Sequence, residues 1–287
     1  MRRAYCGISA MPAREAAGAP PEDLTCNPAR FVRLRRGAGG AGRDDSRPQP
    51  GWKDDLEGHS LKAAARRALL LAAAAMLAQP ETAAAGDFRL LRIDGVSVKW
   101  DSPDLGRGAS VTWAFAAKAE TLADAANCRS ILPIDRLSAA WKHDPGRLAA
   151  VARAAFGMWS RAADLQFREA APGEAPDILI GAQGKPEGIA FANVWHGPGD
   201  KGVAPLTRAS VCINPEVAWT TDAGPAPAGV YDLATVLAHE VGHAIGLDHP
   251  GPRGALMAYS NQGALDALMP GDVAGAVLLY GPAPTTP

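Results

Sequence analysis

One twelve-residue stretch constrains this chain more than the rest of its 287 residues: His239-Glu240-Val241-Gly242-His243-Ala244-Ile245-Gly246-Leu247-Asp248-His249-Pro250. His239 and His243 stand four residues apart, so on a helix both imidazoles leave one face and converge on one point. Gly246 then ends the helix, because glycine tolerates the left-handed conformation that a helix terminus often needs. The turn it makes can bring His249 back toward the first two imidazoles. Three neutral imidazoles suit Zn2+, and three protein ligands leave a fourth position for water, the arrangement of catalytic rather than structural sites. Glu240, beside the first ligand, is placed to take a proton from that water and pass it on.

A bare HExxH arises by accident in unrelated helices, where it reads as two solvated surface histidines. The glycine and the third histidine at fixed offsets make accident a poor account of this stretch. Three of the six histidines in the chain fall within it, while His59, His143 and His196 are scattered and are expected to be surface or ordinary core residues. Two functions follow from a zinc constellation: an enzyme, or a secreted zinc-stabilised binding module without turnover. Glu240 favours the enzyme, since a metal fold alone needs no base beside its ligand.

The remaining sequence divides into three. Residues 1–60 are rich in Arg, Pro and Gly and sustain no period of 2 or 3.6. They are expected to be a disordered extension, or to precede the true translation start. Residues 61–85 carry a basic lead (Lys62, Arg66, Arg67), an apolar run from Ala68 to Ala78 and the small-residue stretch Thr82-Ala83-Ala84-Ala85. That order describes a signal peptide; its apolar run is too short for a membrane span, and a buried Ala/Leu helix is the alternative. Residues 86–287 then form one domain by size, expected to be secreted to the extracellular space or the periplasm, without a membrane span, and monomeric. Cys128 and Cys212 lie far apart in this part, and in an exported domain they are candidates for one disulfide; two separate buried thiols are the alternative. A formal net charge of −1 gives no global reason to expect a nucleic acid or a membrane surface as partner.

Within 86–287 strands and helices are mixed. Phe88 to Trp100, Ser110 to Phe115, Leu165 to Glu169, Asp177 to Gly181, Ala190 to Trp195 and Ala209 to Ile213 read as strands. Asp144-Pro145 reads as a helix start, followed by Leu148, Val151, Ala155, Trp159 and Ala162 at helical spacing. Tyr231 to Ile245, with Asp232 as cap, is a second helix, and Pro270 to Tyr280 a closing third. This order predicts an α+β fold, with α/β as the alternative.

The pattern HExxHxxGxxH followed by a methionine turn, here Ala255-Leu256-Met257-Ala258-Tyr259, resembles the metzincin zinc peptidases. Met257 lies eight residues past His249, as in the matrixin branch, and Phe156, Trp159, Leu165, Phe167 and Asp177-Ile178-Leu179-Ile180 resemble the matrixin helix-then-strand layout. The resemblance implies a twisted mixed sheet with an active-site helix, a backing helix and a C-terminal helix. It also implies a structural methionine turn at Met257, and protein or peptide substrates whose main pocket is walled by Ser260 to Leu268. Pro250 and Met257-Ala258-Tyr259 are more similar to serralysins, in which the tyrosine can reach the zinc; this makes Tyr259 a candidate oxyanion donor. The cysteine switch of animal matrixins is missing, since neither Cys26 nor Cys128 sits in its pattern. Phe191 stands where matrixins place a structural-zinc histidine, so a single zinc is expected. Gly197 to Gly202 and Asn214 to Glu216 are candidate Ca2+ turns without a clear motif, and plain turns are the expected reading.

Overall fold

The computed structural model describes residues 2–6, 87–135, 145–199, 202–222, 224–251, 253–260 and 263–285. The signal-like stretch 61–85, Cys26, His59, His143 and the capping position Asp144 lie outside these residues.

In chain order the strands are β1 (Arg2–Cys6), β2 (Arg89–Leu90), β3 (Arg92–Ile93), β4 (Val96–Lys99), β5 (Ala109–Phe115), β6 (Glu120–Thr121) and β7 (Ser130–Leu132). Helix α1 (Pro145–Ala162) follows, then β8 (Leu165–Glu169), β9 (Ile178–Gln183), β10 (Ala190–His196), β11 (Val203–Ile213), β12 (Ala218–Thr220) and β13 (Val230–Asp232). Helix α2 (Leu233–Ala244), β14 (Leu247–Asp248) and α3 (Pro270–Tyr280) complete the order. A mixed sheet and three helices make this an α+β fold, and the described residues belong to one compact unit.

The main path through the sheet runs β1-β10-β11-β9-β5-β8. Its pairs β5·β8, β5·β9 and β9·β11 are parallel, and β10 turns antiparallel to β11. The parallel β5 and β8 are joined through α1, as a parallel pair requires a crossover. Helix α1 meets the sheet because Leu148, Ala152, Ala155, Phe156 and Trp159 share one buried stripe. Phe156 stacks on Trp113 of β5 at 5.0 Å between centroids and leans on Phe167 of β8 at 4.8 Å. The same helix also meets α2, where the Trp159 Nε1–H donates to Ala238 O at 2.9 Å.

Two differences from the sequence reading have clear causes. The stretch from Phe88 to Trp100 is three short strands, because Asp94 and Gly95 adopt φ of 52° and 86° and close a two-residue hairpin that pairs Ile93 with Val96. Along the edge of β10, Arg2–Cys6 pairs antiparallel with Ala192 to His196, although no alternation in the first 60 residues signals a strand there.

Cys128 and Cys212 form a disulfide, joining the segment before β7 to the centre of the sheet across 84 residues of chain. Cys128 adopts a φ of 44°, uncommon for a residue with a Cβ, and its bond to β11 helps hold it there. Cys212 pairs across the sheet with Phe191. Closing a loop of this length removes conformational freedom from the unfolded chain. We therefore expect a Cys128→Ala/Cys212→Ala variant to lose about 2–5 kcal/mol of stability in urea denaturation.

Candidate metal centre

The centre is built on α2. Asp232 caps this helix, accepting the Thr235 N–H at 2.7 Å with its own backbone in an extended conformation, as the sequence leads one to expect. Every residue of α2 except Ala234 is buried, so His239, Glu240 and His243 lie within the protein rather than on its surface.

Gly246, φ 102°, ends the helix, and a Cβ there would stand 2.1 Å from Val98 O. Only glycine allows β4 this close. Beyond it, Leu247 and Asp248 pair with Leu90 and Arg89, and Leu91 N–H donates to Gly246 O at 2.8 Å. The Asp248 carboxylate accepts the His249 N–H at 2.8 Å and lies 3.4 Å from Arg89 Nε. The returning segment is thus held by the first strands of the domain, and it delivers His249 to the other two histidines.

The three imidazoles meet through Nε2. His249 Nε2 stands 3.1 Å from His239 Nε2 and 3.1 Å from His243 Nε2. The opposite nitrogens of the first two donate to main-chain carbonyls, His239 Nδ1–H to Leu256 O at 2.7 Å and His243 Nδ1–H to Leu247 O at 2.9 Å. Those bonds fix the tautomer, so both Nε2 atoms present bare lone pairs to a common point. A single N–H on His249 could satisfy only one of them. A cation resolves all three, and nitrogens about 2.0–2.1 Å from one tetrahedral zinc would stand about 3.3 Å apart. The donor set therefore fits zinc.

Burial pushes the His239 imidazole down to about 4, against the pull of its bond to Leu256 O. Burial and the neighbouring imidazoles push His243 well below its ordinary range. Burial, then His239 and Arg89, push His249 down to about 3. Neutral imidazole is the form that binds metal, so the fold holds the triad ready.

Met257 lies directly beneath α2. A Cβ at position 242 would fall 2.2 Å from Met257 Sδ and 2.8 Å from Trp159 Cζ2, so glycine between the two helical histidines makes room for the methionine turn. Tyr259 sits at the rim, its ring centroid 6.3 Å from that of His249. The buried Asp272 carboxylate accepts the N–H groups of Leu256, Met257 and Met269 at 2.7, 3.0 and 2.9 Å. The other singled-out positions lie apart from the triad. His196 is a buried core residue whose Nδ1–H donates to Gly197 O at 2.7 Å. Asn214 Oδ1 accepts Glu216 N–H at 2.8 Å in a side-chain-closed turn.

Sequence reasoning did not single out Asp272, Trp100 or Tyr280. The indole N–H of Trp100 donates to Ala244 O at 2.8 Å and the Tyr280 hydroxyl to Ile245 O at 2.7 Å, so both close carbonyls at the end of α2. A signal existed for Asp272 alone: an acid two residues after a helix-starting proline reads as a cap. Nothing local in the sequence points that acid at the methionine turn.

Residues 138–281 match the family model described as matrixin, peptidase M10. The chain is 36% identical over 146 residues to matrix metalloproteinase-19 of Mus musculus, covering 47% of this chain and 25% of that protein. It is likewise 36% identical over 148 residues to matrix metalloproteinase-19 of Homo sapiens, covering 48% of this chain and 27% of the relative. The match thus spans about a quarter of the length of these relatives.

The lowered imidazole values have a consequence for the metal-free protein. In the unfolded chain these histidines take up protons near their ordinary value of 6.5, while in the fold they stay neutral to about 4 for His239 and about 3 for His249. Between these limits the unfolded state binds more protons. The stability they contribute is complete above the unfolded value and is lost as pH falls through that window. Urea midpoints of the metal-free protein should fall from pH 7 to pH 4, with a shallower slope when all three histidines are replaced by glutamine.

Proposed function

The chain belongs to the matrixin family, and from that premise we propose that it is a secreted zinc-dependent endopeptidase that hydrolyses protein or peptide substrates. The observation that carries the proposal is the meeting of the His239, His243 and His249 Nε2 atoms, two of the distances being 3.1 Å, beside a helix that also buries Glu240. Export is supported by the basic, apolar and small-residue order at 62–85, and among the described residues no helix is long and apolar enough to cross a membrane.

His239, His243 and His249 would hold the ion. Zinc bound there supplies Lewis acidity, lowering the pKa of a water and polarising a carbonyl. The rest of the work falls to side chains of this chain. Glu240 orients the attacking water, takes its proton, and delivers it to the leaving amine nitrogen. Its burial removes competing solvent from around the carboxylate. Tyr259 is proposed to donate its hydroxyl to the oxygen that gains charge as the carbonyl carbon becomes tetrahedral, and its place beside the His249 ring supports this role. Ser260 to Leu268 is proposed to wall the substrate pocket, its base held by the bond from Leu265 N–H to Thr235 Oγ1 at 2.8 Å.

Digestion of a peptide library by the exported protein, with and without a zinc chelator, tests the reading as a whole. Cleavage that stops with the chelator and returns with zinc supports it; a protein that holds zinc and cuts nothing is a binding module instead. Within that experiment, Glu240→Gln keeps the side chain's size and loses the basic oxygen. We expect kcat to fall by about 10⁴-fold or more, since one group serves both proton transfers, while zinc content and melting temperature stay near wild type. Cleavage within about tenfold of wild type would remove Glu240 from the base role. Tyr259→Phe should lower kcat by about 10–10³-fold with little change in KM, and an unchanged kcat would make Tyr259 a packing residue.

A further inference from the structure

We propose that Asp272 is a positioning residue for the first metal ligand, acting on His239 through one peptide unit. The Leu256 carbonyl that accepts the His239 Nδ1–H at 2.7 Å and the Met257 N–H that donates to Asp272 Oδ1 at 3.0 Å are the two ends of the same amide. Carboxylate, amide and imidazole form a continuous line ending at the Nε2 that faces the ion.

The physics of such a line is directional. An amide whose N–H is held by an anion shifts electron density toward its carbonyl oxygen, and hydrogen bonds in series strengthen one another. The Leu256 oxygen becomes a better acceptor, holds the Nδ1–H more firmly, and leaves Nε2 richer in density and fixed in direction. Carboxylates that touch a ligating imidazole directly orient it and raise its basicity; here an amide stands between the two.

Geometry separates this role from simple helix capping. Asp272 is the third residue of α3, and accepting the Met269 N–H would suffice for a cap. The same carboxylate also reaches back 15 and 16 residues, to Met257 N–H and Leu256 N–H. It is 1% exposed, so it is enclosed with these amides. The position at the start of α3 further favours the negative charge.

The inference rests on the reading of the triad as a metal site, and its test has an arm that needs no metal. In Asp272→Asn the amide oxygen can keep the Leu256 and Met269 N–H groups, but the NH2 then faces the Met257 N–H, so the leg that reaches His239 is the one broken. Zinc affinity of the full chain, measured by chelator competition, should weaken about 10–100-fold. In the metal-free protein the His239 Nδ1–H proton resonance should move upfield. Asp177→Asn is the control: it removes a carboxylate that accepts Thr112 N–H and Oγ1–H, each at 2.8 Å, within the sheet. It should change neither readout.

An Asp272→Asn protein with zinc affinity within about threefold of wild type and an unmoved His239 resonance overturns the proposal, as does equal weakening by Asp177→Asn. Should Asp272→Asn not fold, zinc titration of wild type decides. The Met257 N–H resonance should then shift more than those of Leu256 and Met269, which meet the same carboxylate without sharing the amide that faces His239. Equal shifts would refute the line. A wild type that binds no zinc refutes the metal-site reading, while the metal-free resonance still judges the role of Asp272.

Discussion

Three imidazole lone pairs aimed at one point, where water has little access, repel one another until a cation stands among them. His239 and His243 are 1% and 0% exposed, and their tautomers are set by the carbonyls of Leu256 and Leu247. Folding without metal must therefore strip water from these rings and bring their lone pairs together, and binding the ion returns that cost. Much of the surrounding architecture can be understood as holding this unfavourable arrangement in place.

Helix α2 shows how. A helix buried on nearly every side has no amphipathic stripe to orient it, so packing alone leaves its rotation and height loosely specified. Polar contacts at its ends supply what is missing. Asp232 closes the first turn, while Trp100 and Tyr280 close the carbonyls of Ala244 and Ile245 at the last. The Tyr280 hydroxyl also accepts the Trp100 N–H at 3.0 Å, tying the two closures together. Lys99, itself buried, places Nζ 4.9 Å from the centre of the Tyr280 ring and donates to Trp100 O at 3.0 Å. Burial lowers its pKa, against the pull of Asp101 and Asp104. The end of β4 and the last residue of α3 thus meet at the C-terminal end of the helix that carries His239 and His243.

What the sequence made legible is what depends on near neighbours. The histidine spacing, the Gly246 turn, the Asp232 cap and the buried stripe of α1 each involve residues a few positions apart, and the structure brings the histidines together and forms the turn, cap and stripe. The Asp94-Gly95 pair that closes the hairpin is a local turn signal too, although Phe88 to Trp100 reads as strand throughout. The pairing of Cys128 with Cys212 needed only the argument from export, because just two cysteines fall in the domain. The bonds from Trp100 and Tyr280 to α2 were not legible, since they are long-range contacts between a side chain and a main-chain carbonyl and leave no periodicity. The link from Asp272 to Leu256 and Met257 is of the same kind.

The same geography separates specificity from chemistry. The segment proposed to wall the substrate pocket leaves the methionine turn at Ser260 and is tied again at Leu265, by its bond to Thr235 in the first turn of α2. Before it, Met257 is held by Asp272; after it, α3 begins at Pro270. A change of length or side chain between Ser260 and Ala264 would fall between fixed points on either side. The carbonyl that orients His239 lies before the first of those points, and the carbonyl that orients His243 lies on the far side of Gly246. A segment bounded in this way can be changed with little strain on the histidines, because neither orienting carbonyl belongs to it. The opposite holds for the turn from Gly246 to His249, where β4 leaves no space for a side chain at 246 and β2 pairs with Leu247 and Asp248. Substitutions there must move His249, which makes this short turn the least tolerant part of the site.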